Sequence, residues 1–107
     1  MSRWLFVLLV AGCASPEQGQ EGKAAVARGA LLLDVRTPEE FASGHLDGAM
    51  NVPVQELAAK WASLASPNER EVVVYCRSGR RSAQAKQILE ARGVRRVIDA
   101  GAMSNWR

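Results

Sequence analysis

The chain has one histidine, two cysteines, one tyrosine and no long apolar run. Each shortage excludes something. One histidine without a C-x-x-C pair supplies no ligand set for zinc, so no metal is expected. No cofactor is expected either. Two cysteines cannot form a disulfide framework, and a Cys13–Cys76 bond would block the loop that begins at Cys76. Aromatic residues make up 6% of the 107 residues and none is interleaved with the basic ones. With no nucleic-acid motif present, nucleic acid is not an expected partner. The apolar stretch Trp4–Ala11 falls far short of the ~20 residues that a membrane-spanning helix needs. No internal repeat is present, and the length suits one small domain.

What the N-terminus does have is the pattern of an export signal. Arg3 and the amino group give positive charge ahead of the short apolar stretch. Val10-Ala11-Gly12-Cys13 resembles the bacterial lipobox, whose cysteine is lipidated after cleavage. The expectation is a lipoprotein-type signal peptide over 1–12, a lipid on Cys13, and a polar tether leading into the domain over 13–29. Ser15 to Lys23, rich in Gln, Glu and Gly, has the composition of such a tether. Ala14 suits sorting to the outer membrane. The expected location is the cell envelope, facing the periplasm, with the membrane reached through the lipid.

The net charge of +3 conceals an asymmetry. Nine acids face five basic residues from Glu17 to Glu71, and seven basic residues face one acid from Arg77 to Arg96. Lys86, Arg92, Arg95 and Arg96 suit a solvated surface. The basic residues beside Cys76 point to a small anion.

Periodicity gives an α/β chain. Leu31-Leu32-Leu33-Asp34-Val35 reads as a strand buried on both faces. Thr37-Pro38-Glu39-Glu40 opens a helix, with Thr37 as N-cap, Pro38 at N1 and Glu40 closing a capping box. Gly44 ends it. Gly48 to Pro53 reads as a turn into a short strand. Leu57, Ala58, Trp61, Leu64 and Ala65 form a helical stripe broken by Ser66-Pro67-Asn68. Val72 to Tyr75 reads as a central strand. Ala85, Ile88 and Leu89 mark another helix, closed by Gly93. Val97-Ile98 gives a last strand. This alternation implies a central parallel sheet with helices on both faces, whose ligands bind beyond the carboxyl ends of the strands.

Cys76-Arg77-Ser78-Gly79-Arg80-Arg81-Ser82 begins at such an end. A cysteine after a strand, followed by a short basic loop and a helix N-terminus, is placed to be a reactive thiolate. The amides of Arg77, Ser78, Gly79, Arg80 and Arg81 form the expected cradle for thiolate and oxyanion, with Gly79 permitting the turn. Arg81 is expected to point inward, Arg77 and Arg80 to steer anions from the rim. Ser78 and Ser82 could donate hydroxyl hydrogen bonds, or Ser82 could only cap the helix. Asp34 and Arg36 read as mainly structural: Asp34 binding nearby backbone, Arg36 pairing with Glu40 or lining the mouth. His45 reads as a loop tie.

Several of these segments together resemble the rhodanese family of sulfurtransferases. Leu33-Asp34-Val35-Arg36 with Pro38-Glu39-Glu40-Phe41 is similar to its first signature. Gly44-His45-Leu46-Asp47-Gly48-Ala49 with Asn51-Val52-Pro53 is similar to its second. Val73 to Ser82 is similar to the active-site segment, and Gly101 and Trp106 to the closing segment, with Ala102 where a second glycine is common. The resemblance covers Ala30 to Trp106, so the rhodanese-like domain is expected over 30–107. Within the family the chain looks closest to small periplasmic single-domain members of the phage-shock protein E type. A C-terminal helix found in many relatives is expected to be missing or very short.

The resemblance implies a thiosulfate sulfurtransferase that uses Cys76. The thiolate takes the outer sulfur of thiosulfate, sulfite leaves, and the persulfide passes its sulfur to cyanide or a thiol. Two other readings stand beside it. One is a persulfide carrier or binding module without turnover. The other is a cysteine-dependent phosphatase or arsenate reductase, which the four residues between Cys76 and Arg81 disfavour, since related phosphatases have a loop one residue longer.

Overall fold

Unbroken apolar runs along the central strands explain the architecture. In the computed structural model, which describes residues 16–64 and 70–106, four strands form one parallel sheet. They are β1 (Leu31–Asp34), β2 (Met50–Asn51), β3 (Val72–Cys76) and β4 (Val97–Ala102), in the order β2-β1-β3-β4. Cys13 and the expected signal peptide lie outside the described residues.

Leu33, Val35, Val72, Val74 and Cys76 pack on one side of the sheet. Leu32, Val73 and Tyr75 pack on the other. Successive strand side chains point to opposite faces, so a strand covered on both sides needs an unbroken apolar run. Val72–Cys76 is such a run and is buried throughout. Helices α3 (Val54–Lys60) and α4 (Arg80–Ala91) cover the first face through Val54, Leu57, Ala85 and Leu89, and Trp61 joins them from the 3-10 turn after α3. Ala65, the last residue of the expected stripe, lies outside the described residues.

The second face is covered by a helix where a tether was expected. Residues Pro16–Ala27 form α1, which buries Gly19, Gly22 and Ala25. The sequence here is polar, and each glycine weakens a helix by about 1 kcal/mol. Close approach compensates. A Cβ on Gly19 would stand 2.2 Å from the Asn105 carbonyl oxygen, and one on Gly22 would stand 2.9 Å from the Trp106 ring. The helix binds by shape along a seam of small residues, which a search for apolar stripes does not register.

β4 is also longer than the expected Val97-Ile98. Its later residues, Asp99 to Ala102, have little strand propensity, and pairing with β3 overrides it. A register shift lies between Val74, opposite Asp99, and Tyr75, opposite Gly101. The Gly101 amide donates to the Asp99 side chain at 2.9 Å, and the Asp99 carbonyl accepts from Gln18 of α1 at 3.1 Å.

At the carboxyl edge of the sheet, α2 (Pro38–Ala42) has both halves of its expected capping box. This fixes Glu40 beside the loop that follows β3.

Candidate functional site

Cys76 ends β3 and faces the α4 side with 0% of its surface exposed. Gly79 then turns the chain at φ +103°, a left-handed conformation that a side chain would strain, and serves as N-cap of α4. The turn folds α4 back over the sulfur. The Gly79 N–H donates to Cys76 Sγ at 3.0 Å and the Ser82 N–H donates to it at 3.3 Å. Ser82 Oγ donates to the Gly79 carbonyl at 3.1 Å and lies 3.5 Å from Sγ. Backbone donors and a helix N-terminus aimed at one sulfur favour negative charge on it.

Among the five loop amides named from the sequence, that of Gly79 reaches the sulfur. The second donor is the amide of Ser82, one turn into α4. Arg77, Ser78 and Arg80 are exposed at the rim.

Arg81, expected to point inward, holds Glu40. Its Nη1 donates to Glu40 Oε1 at 2.7 Å and its Nη2 to Oε2 at 3.0 Å. Arg77 Nη1 stands 3.8 Å from the same carboxylate. Glu40 also accepts from the Thr37 N–H at 2.9 Å. The Arg81 hydrogen bonds, then that of the Thr37 N–H, lower the Glu40 pKa to about 2. Glu40 carried a visible signal, the capping box, but that reading uses only its local hydrogen bonds. Its bond to Arg81 spans 41 residues and no local pattern shows it.

Arg36 does not pair with Glu40. It is buried, and its Nε and Nη2 donate to Asp34 at 2.9 and 2.6 Å. Asp34 also accepts from the Arg36 backbone at 2.9 Å and from the Tyr75 hydroxyl at 2.7 Å. That hydroxyl accepts in turn from the Leu46 N–H at 3.0 Å. The Asp34 hydrogen bonds raise the pKa of Arg36, and burial raises that of Tyr75. The short reach favours Asp34: residues i and i+2 of a strand end face the same way, whereas Glu40 sits across the mouth. Arg36 Nη2 then donates to the Gly44 carbonyl at 2.7 Å, tying down the end of the α2 segment. His45 acts there too, with Nδ1 2.8 Å from the Phe41 carbonyl and its ring stacked on Phe41.

Arg36, Glu40, Ser43, Gly44, Arg77, Met103 and Ser104 line a hollow of about 440 Å³ at the carboxyl end of the sheet. A second hollow, of about 350 Å³, adjoins it at Ser104 and is lined by Pro16, Gln20 and Asn105. Among the described residues no group of His, Cys, Asp or Glu could hold a metal ion.

A parallel α/β domain with an enclosed cysteine in a strand–loop–helix turn belongs to a recognisable class of cysteine-dependent group-transfer proteins. The model of the rhodanese-like domain matches residues 18–107. The chain belongs to the rhodanese family. Thiosulfate sulfurtransferase PspE of Escherichia coli is 38% identical over 73 residues, covering 68% of this chain and 70% of that protein. A sulfurtransferase of Allochromatium vinosum is 39% identical over 77 residues, covering 71% of this chain and 70% of that one. The solved human single-domain sulfurtransferase TSTD1 superposes with a TM-score of 0.70 at 34% identity, covering 81% of this chain and 89% of that one.

Proposed function

We propose that this protein is a thiosulfate sulfurtransferase that carries sulfane sulfur on Cys76. The observation that carries the reading is the pair of backbone N–H groups, from Gly79 and Ser82, that converge on Cys76 Sγ at 3.0 and 3.3 Å. Such preorganised donors stabilise a thiolate before reaction and again after the persulfide has been discharged. The thiolate attacks the outer sulfur of thiosulfate. The sulfur–sulfur bond of the donor breaks and sulfite leaves with the electron pair. The persulfide sulfur then passes to cyanide or a thiol, and the Cys76 thiolate returns. The named activity of the E. coli relative supports this choice of donor.

Intact mass measurement after incubation with thiosulfate tests it. A gain of about one sulfur atom (~32 Da) is expected, lost on treatment with cyanide as thiocyanate forms. Cys76→Ser should gain nothing. A wild-type protein that stays unmodified, or a Cys76→Ser variant that still turns over, overturns the reading. A persulfide that forms but passes to neither cyanide nor thiols would identify a carrier instead.

The setting belongs to the proposal as well. The sequence Val10-Ala11-Gly12-Cys13 supports a lipid on Cys13 and an envelope lipoprotein facing the periplasm, sorted to the outer membrane by Ala14.

A further inference from the structure

Three guanidinium groups stand near the mouth of the site, and each is already held by a carboxylate. Arg36 is bound to Asp34 at 2.6 Å. Arg81 makes a two-pronged pair with Glu40 at 2.7 and 3.0 Å, and Arg77 leans on the same carboxylate at 3.8 Å. Glu40 lines the mouth itself. It is also anchored from behind, because the Thr37 backbone holds it in the capping box. The charge on Arg81 is coupled both to Glu40 and to Cys76, with the Glu40 hydrogen bond the larger influence. An anion entering that hollow therefore meets arginines that a resident carboxylate has occupied.

We propose that Glu40 is a built-in competitor for the anion site and holds down the affinity of its arginines for every anion. The inference rests on the sulfurtransferase reading and deepens it. Any anion that takes Arg81 must first release it from Glu40, and that cost is the same whatever the anion. The carboxylate stays close by, held by the Thr37 N–H, and repels a dianion such as thiosulfate more than a monoanion. Glu40 thus lowers affinity for all anions, and for doubly charged ones most. It acts through the two arginines and touches no reacting atom.

Glu40→Gln tests this. Glutamine keeps the length and a carbonyl oxygen for the Thr37 N–H, so α2 retains its cap. The expected result is a KM for thiosulfate lowered about fivefold, the upper range for a partly exposed ion pair, with kcat within about twofold. Sulfate and nitrate, used as a dianionic and a monoanionic inhibitor, should both bind more tightly, sulfate by the larger factor. A folded Glu40→Gln protein with unchanged or raised KM, or one that binds sulfate no more tightly than the wild type does, overturns the proposal. If the glutamine variant does not fold, Glu40→Ala removes the carboxylate instead, with the same two outcomes. If the wild type transfers no sulfur from thiosulfate, the sulfurtransferase reading fails by itself. Calorimetric binding of sulfate and nitrate to both proteins still decides the role of Glu40: tighter binding to Glu40→Gln supports it and unchanged binding overturns it.

Discussion

The hydroxyl of Tyr75 donates to Oδ2 of Asp34 at 2.7 Å, across two neighbouring strands in register. It joins β3, which carries the nucleophile, to β1, which carries the buried Asp34–Arg36 pair. The same hydroxyl accepts the Leu46 N–H from the loop beyond α2. Tyr75→Phe leaves that N–H without its partner and strips one hydrogen bond from Asp34. The expected cost is about 1–3 kcal/mol. Asp34→Asn is more severe, because a buried arginine loses its counter-charge, and about 3–5 kcal/mol is expected. Urea unfolding of the two variants checks the order. Asp34→Asn as stable as Tyr75→Phe would show that the pair is not the main strut.

Gly22 is where α1 meets the sheet. A Cβ there would stand 2.9 Å from the Trp106 ring and 3.0 Å from Val73. Gly22→Leu should force the helix off the face and cost at least the ~1–3 kcal/mol of ordinary overpacking. Hydrogen exchange should show faster exchange in 16–27 with β1 and β3 still protected. Uniform protection in a stable variant would mean that α1 tolerates the bulk.

The Glu40–Arg81 pair has a defined pH window. The pKa of Glu40 in the folded protein is lowered from 4.5 to about 2. A carboxylate depressed in this way adds stability above its unfolded pKa and loses it as pH falls through the folded one. The difference in stability between wild type and Glu40→Gln should therefore be constant from pH 7 to about pH 5. It should shrink steadily towards pH 2. Denaturant melts at pH 7, 4 and 3 read this directly, and a difference that grew on acidification would contradict the assignment.

For the N-terminus, Cys13→Ala should release the protein from the membrane fraction into the soluble envelope fraction. Unchanged fractionation would remove the lipid anchor from the picture, while leaving the chemistry at Cys76 untouched.

The sheet was legible because its signal is local. Val72 to Tyr75 and Leu31 to Val35 are apolar runs, and the strand–helix alternation dictates a parallel arrangement. The capping box was legible for the same reason: Thr37 and Glu40 lie one helical turn apart. Cys76 and Gly79 stood out because a reactive sulfur needs a strand end and a left-handed turn. Arg81 and Glu40 were not legible as a pair. Either arginine near the mouth could claim Glu40, and only the packed geometry awards it to Arg81 and leaves Arg36 to Asp34. The helix α1 was missed because its contacts run through glycine. An absent side chain gives no hydropathy signal, although it permits the closest approach of all.

The position of Pro16 has a bearing on traffic. Pro16 and Ser104 share one hollow, and Ser104 and Arg77 share the next. The chain thus enters the fold on the flank where the mouth opens. A lipid on Cys13, the anchor proposed above, would tether that flank three residues from the bilayer and its headgroups. Donors would then arrive through a thin layer of water at a charged interface, where anionic lipids lower the local concentration of thiosulfate. The enzyme would respond to the lipid composition around it as well as to the amount of donor in the compartment.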